Sequence, residues 1–168
     1  MSFDQFRQTI INNDVARSNK YTVSIPDILT RDTELLCTDV NLPSESIQSF
    51  EYAMSGIGPV TKVPNRILFE TLTMSFLNMG NNEPYTAFRN WLKQIYDENY
   101  RFNDMNDYTK SIKIIEQNRE GRTIGIHQFL ECYPQMVGPK AKNYAPSNAP
   151  EIFPVVLNFE TSRYLERF

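Results

Sequence analysis

The chain has 168 residues, of which 17 are Lys or Arg and 20 Asp or Glu, for a net charge of −3. That length suits one domain, residues 1–168, large enough to bury about two-thirds of its unfolded surface without staples. No apolar run approaches the ~20 residues that cross a bilayer, and the scattered Lys and Arg exclude a groove that grips nucleic-acid phosphates.

The opening residues, Met1-Ser2-Phe3-Asp4-Gln5-Phe6-Arg7, lack the basic start and apolar middle of a signal peptide. Synthesis and folding in the cytoplasm are therefore expected, with no membrane insertion. Residues 2–12 read as a short helix, with Ser2 and Gln5 as a capping box and Phe3, Phe6 and Ile10 along one face. A helix this short is marginal alone and must dock on something. Residues 20–25 form a strand in which Tyr21, Val23 and Ile25 alternate with polar residues, and Glu34–Val40 is expected to pair with it across the loop between them.

From Ser44 to Asn78 an extended hairpin is expected. Gln48, Phe50, Tyr52 and Met54 lie on one side of its first strand, Ser55-Gly56-Ile57-Gly58-Pro59 forms its tip, and a long strand returns from Ile67 to about Asn78. An arm this long, with apolar residues near the tip, exceeds what one small core needs and points to a partner surface. Pro84 opens the main helix, spanning about 84–98, with Phe88, Trp91, Leu92 and Ile95 as its stripe. Asn99–Asp107 reads as a solvated polar loop. Tyr108–Gln117 and Arg122–Tyr133 make a second hairpin around Asn118-Arg119-Glu120-Gly121. Cys132–Pro139 reads as an ordered turn, followed by a loop to Pro150 and a last strand from Ile152 to about Tyr164.

The sum is a mainly β chain with one substantial helix: an antiparallel β-sandwich or partly closed β-barrel, a flanking α-helix and an extended β-hairpin arm. Catalytic motifs are lacking. His127 is the only histidine, so a two-His zinc motif is impossible, and a structural role is the better reading. Cys37 and Cys132 form no CxxC pair and read as free, mostly buried thiols. The Asp97–Asp107 acidic run lacks the central Gly and terminal Glu of a calcium loop. Nothing in the spacing of Glu116 and Glu131 makes them an acid–base pair. No catalytic residue, cofactor or metal ligand is expected, and the chain reads as non-enzymatic.

Several features, taken in order, resemble the tail tube proteins of contractile-tailed bacteriophages. They are the opening helix leading to Ala16-Arg17-Ser18-Asn19 and the strand Tyr21–Ile25, then Cys37 and Leu42-Pro43 before the extended hairpin. The Phe88–Trp91 helix follows, with the segment Tyr133-Pro134-Gln135-Met136-Val137-Gly138 and a final alternating strand. The resemblance covers nearly the whole chain. It implies a structural subunit of the virion tail that forms hexameric rings stacked into an inner tube and is assembled in the host cytoplasm. The implied partners are copies of itself, a tail sheath protein, a baseplate or tube-initiating protein and a tail terminator. Genomic DNA would pass through the lumen without specific binding. Two segments would make the contacts: the N-terminal arm within residues 1–19 (Phe3, Phe6, Arg17, Asn19) and the hairpin region (Leu42, Pro43, Phe50, Tyr52, Met54, Ile57, Arg66). The long Asn78–Pro84 linker and the 140–150 loop depart from the simplest pattern of the family. The alternatives are an inner-tube protein of a type VI secretion-like or phage-derived contractile injection system, a tube initiator near the baseplate, or a small β-barrel ligand-binding protein.

Overall fold

The computed structural model describes residues 7–8, 20–26, 28–30, 34, 36–52, 60–140 and 149–166. The expected N-terminal helix and the Gly/Pro tip of the hairpin lie largely outside the described residues.

The strands are β1 (Tyr21–Ser24), β2 (Cys37–Asn41), β3 (Glu45–Tyr52), β4 (Thr61–Phe69), β5 (Leu72–Leu77), β6 (Lys110–Gln117), β7 (Thr123–Val137), β8 (Ile152–Asn158) and β9 (Thr161–Glu166); α1 spans Glu83–Lys93 and α2 spans Met105–Tyr108. A seven-stranded antiparallel system runs β1-β6-β7-β8-β5-β2, with β9 also on β7, while β3 and β4 form a separate two-stranded sheet. Among the described residues the sheets do not close into a barrel, and β1 and β2 remain as edges. The mainly β, one-helix expectation holds.

β7 joins the two halves. Gly125–Leu130 pairs with β9 and the first part of the strand also with β6, whereas Tyr133–Val137 pairs with β8. The hand-over comes at Glu131, whose φ of 55° is left-handed, beside a register shift in the β6–β7 ladder. An extra residue of this kind bends a strand and re-aims it. β8 and β9 are separated at the same level, where the Glu160 amide donates to the Leu130 carbonyl at 3.2 Å. The final strand expected as one piece is therefore two.

The core follows from alternation. In β5, Leu72, Met74 and Phe76 point inward and pair across the ladder with Leu157, Val155 and Phe153 of β8. All six are buried, so one face of this pair is apolar throughout. α1 lies over this face. Phe88 meets Phe76 at 4.8 Å and Phe153 at 6.1 Å between ring centroids, and Trp91 donates its indole N–H to the Tyr108 carbonyl at 2.6 Å. The helix ends at Lys93 rather than near Glu98. The Asp97 carboxylate accepts from the Asn99 and Arg101 amides, both at 2.8 Å, and such local side-chain bonds compete with helix continuation.

Three further expectations are corrected. β2 pairs with β5, and β1 with β6; the connection between β1 and β2 is far longer than the two to five residues of a hairpin and crosses from one half of the fold to the other. Cys132–Pro139 is not a turn, because β7 continues to Val137. It tolerates Pro134 because a register shift follows that residue, where a missing ladder N–H costs little. The strand from Ile67 to Asn78 is interrupted at Glu70–Thr71, where β4 leaves the main sheet.

At the end of β7 the Gly138 amide donates to the Pro154 carbonyl at 2.7 Å. A Cβ at position 138 would stand 2.4 Å from Pro154 Cγ and 2.9 Å from its carbonyl oxygen. Gly138→Val is expected to destabilise the protein by about 1–3 kcal/mol through this overpacking. Urea unfolding checks it, and an unchanged midpoint would contradict the packing described.

Candidate assembly surface

β3 and β4 form an antiparallel ribbon with Glu45 opposite Phe69 at the root and Tyr52 opposite Thr61 at the far end. A register shift between Gln48 and Ser49 accommodates Pro64, as bulges commonly do. Every residue of both strands is exposed. The root is fastened to the body at a few points. The Glu70 amide donates to the Ser44 carbonyl at 3.2 Å, Ser162 Oγ donates to Glu45 Oε1 at 2.9 Å, and Phe69 meets Phe159 with ring centroids 5.5 Å apart.

The pairing assigns side chains to two faces, because directly opposed residues share a face and neighbours along a strand alternate. One face carries Phe50, Tyr52, Val63 and Leu68 beside Gln48 and Arg66. The other carries Ile47, Ile67 and Phe69 with Pro64 and, toward the far end, the Glu51–Lys62 ion pair at 3.5 Å. Phe50 is 49% exposed and Tyr52 58%; on the opposite face Ile47 is 66% and Ile67 61%. The exposed ion pair contributes little. A two-stranded ribbon alone is marginal in water, and large apolar side chains on both faces add a hydrophobic cost that only a partner removes.

Gln48, Phe50 and Tyr52 fall on one face of this ribbon as expected, and Arg66, also singled out from sequence, lies on that face opposite Gln48. Leu42 and Pro43 lie at its root, where with His127, Phe129, Ser162 and Tyr164 they line a cleft of about 170 Å³. Phe3, Phe6, Arg17, Asn19, Met54 and Ile57 lie outside the described residues. Sequence reasoning missed the second face. Ile47 and Ile67 stand at the alternate positions of their strands, so the signal was apolar residues at both parities.

The same holds for the loop after α1. It is exposed, as expected of a solvated loop, but it is also ordered by hydrogen bonds: Asn103 Nδ2 donates to the Gln94 carbonyl at 2.8 Å. Phe102 bridges to Tyr96, Tyr96 stacks on Tyr100 at 6.2 Å, and Tyr100 is 85% exposed with a φ of 59°. The turn ends in α2, capped by Asp104, whose side chain accepts from the Asn106 amide.

His127 has structural partners. His127 Nε2 lies 3.3 Å from Glu116 Oε1, and its ring packs on Tyr164 at 4.6 Å. Both cysteines are free; burial pushes each thiol up to about 12, which leaves almost no thiolate at neutral pH. Among the described residues no three His, Cys, Asp or Glu side chains converge as a metal site.

Glu116 and Glu131 are not a pair. Glu131 instead faces Glu160. The hydrogen bond that its protonated form shares with Glu160, together with their mutual repulsion, raises its pKa. A carboxyl whose folded pKa is raised stabilises the fold most below the unfolded pKa of about 4.5, and this contribution is lost as pH rises through the folded value. Glu131→Gln is therefore expected to raise the melting temperature at pH 7 more than at pH 4. An equal difference at both pH values would contradict the pairing.

The body, its flanking helix and the projecting ribbon can be compared with known proteins. The phage tail tube protein model matches residues 3–167. The chain belongs to the phage tail tube protein family. Solved structures agree on the fold of this tail tube protein. A chain in the baseplate of the anti-feeding prophage superposes with a TM-score of 0.68 at 12% identity, covering 92% of this chain and 97% of that one. A chain of the sheath-tube complex of the extracellular contractile injection system PVC does so at 0.67 and 16%, covering 99% of both. Hcp1 from Salmonella typhimurium follows at 0.54 and 10%, covering 86% of this chain and 83% of that one. No curated protein is similar to the chain by sequence.

Proposed function

We propose that this tail tube protein assembles into hexameric rings that stack into the inner tube of a contractile phage tail. The observation that carries the reading is the ribbon, a long arm with exposed apolar residues whose burial within the described chain is confined to its root. In a stacked tube each arm reaches a neighbouring subunit, and apolar surface that would be costly in a monomer becomes contact area. Leu42, Pro43, Phe50, Tyr52, Met54, Ile57 and Arg66 belong to this contact, and the segment Phe3–Asn19 supplies a second.

The tube is a passive conduit for genomic DNA. A subunit with a net charge of −3 and dispersed cations offers no run of phosphate contacts, so the duplex passes without sticking. The outer surface, which includes the 78–84 linker and the 140–150 loop, faces the tail sheath, and the tube ends meet the initiator and terminator. Native mass spectrometry of assembled material tests the ring: six 19.6 kDa subunits per closed ring are expected, and any other closed stoichiometry overturns the hexamer. A type VI-like or other contractile injection system is the second reading, favoured by the fold similarity to injection-system tube chains.

A further inference from the structure

We propose that the turn spanning residues 96–107 docks a segment of a different protein that carries several Arg or Lys side chains. This goes beyond the assembly reading and does not rest on it, because the turn is complete in the single chain. Tyr100 is 85% exposed and Phe102 82%, and Met105 is exposed as well. These side chains do not stand on a loose loop. The Asp97 amide donates to the Arg101 carbonyl at 2.9 Å, the Tyr100 amide to the Asp97 carbonyl at 3.1 Å and the Asn103 amide to the Ile95 carbonyl at 2.9 Å. The backbone is therefore ordered before any partner arrives, which lowers the entropy cost of a contact.

Charge identifies what the partner carries. Asp97, Glu98, Asp104 and Asp107 stand against Arg101 alone, so this stretch holds the whole net charge of −3 and the other residues of the chain balance. Aromatic faces attract cations through the ring quadrupole, so the rings and the carboxylates select the same sign. The chain itself supplies the comparison. Over the Tyr85 ring of α1 stand Lys140 Nζ, 3.9 Å from the centroid, and the Arg89 guanidinium at 5.9 Å. Among the described residues no cation covers Tyr96, Tyr100 or Phe102, so the cation that matches them comes from outside. Nucleic acid and anionic lipid headgroups are repelled by the same carboxylates. A second copy is a poor match, since no two Lys or Arg are adjacent in this sequence. Arg suits the turn better than Lys, because its planar guanidinium stacks on a ring as well as pairing with a carboxylate.

Fluorescence anisotropy of labelled hexa-arginine, titrated with the dilute full chain at low salt, tests this. Saturable binding is expected, tighter than to hexalysine and absent for hexaglutamate. Tyr100→Asn, which suits left-handed backbone, combined with Phe102→Ser should keep the wild-type melting temperature and weaken binding about tenfold. Glu98→Gln with Asp107→Asn keeps the rings and should also weaken binding about tenfold. Glu70→Gln with Glu120→Gln changes the net charge equally outside the turn and should leave binding unchanged. The proposal is overturned by a lack of saturable binding, by equal affinity for hexa-arginine and hexalysine, by either turn variant binding as the wild type does, or by the outside pair losing as much as the turn variants. Dimers in sedimentation that vanish on Tyr100→Asn also overturn it, because they assign the surface to a second copy. A chain that never forms tubes defeats the assembly reading and leaves each of these readouts intact.

Discussion

Excision of the ribbon leaves a folded monomer that no longer forms a tube. Glu45 and Phe69 are direct cross-strand partners, so residues 46–68 can be replaced by a two-residue Asn-Gly turn that closes the ladder without moving the body. None of the described residues removed is buried, and the core pairs of β5 and β8 are untouched. The melting temperature is expected to shift by only a few degrees. Assembly is expected to vanish, because fully burying one Phe or Ile is worth about 1.5–3 kcal/mol and each subunit loses several such anchors at once. Circular dichroism and electron microscopy together check this. Tubes of normal abundance from the shortened chain would defeat the contact assignment.

The second large effect lies in the core. Trp91 is fully buried between α1 and the sheet, with Phe88 6.3 Å away, and its indole N–H satisfies the Tyr108 carbonyl just before β6. Trp91→Ala removes the largest buried side chain and its packing, at a cost of about 3–5 kcal/mol. It also leaves a buried carbonyl without its donor, an added penalty of about 1–3 kcal/mol. At about 2–4 °C per kcal/mol for a chain of this size, the melting temperature should fall by roughly 10–30 °C. Trp91→Phe keeps most of the apolar contact and loses only the N–H, so it should cost clearly less. Equal losses in the two variants would show that the hydrogen bond, not the packing, dominates.

The contrast between these two experiments reflects how the sequence divides its information. Strands with one buried face were legible because their apolar residues alternate, as Leu72, Met74 and Phe76 do, and α1 was legible from Phe88 and Trp91 at helical spacing. The hairpin around Asn118–Gly121 was readable from its turn residues. Strand partners were not. Whether β2 sits on β1 or β5 depends on long-range packing, which no local pattern encodes. The bend of β7 at Glu131 was hidden for a related reason. A Glu in left-handed backbone carries no sequence signal, unlike the Gly that usually marks such a position, so two strands were misread as a turn and a single piece.

The candidate assembly surface was half legible. Phe50 and Tyr52 stand out because they alternate with polar neighbours. Ile47 and Ile67 did not, since an isoleucine in a strand reads first as core. Only the exposure of both pairs, on a ribbon that leaves the sheet at Glu70, shows that neither face is core. The aromatic turn Tyr96–Phe102 was obscured by the acidic residues interleaved with it. The Asp97 carboxylate is engaged with backbone amides there, which shapes the turn and leaves Tyr100 and Phe102 exposed.

Electron microscopy of the concentrated full-length chain, alone and with its tube initiator as template, tests the central claim most directly. Hollow tubes of stacked rings are expected, with the β3–β4 ribbon buried between subunits at every repeat. Chains that stay monomeric on the template, or tubes in which the ribbon projects into solvent, would contradict it.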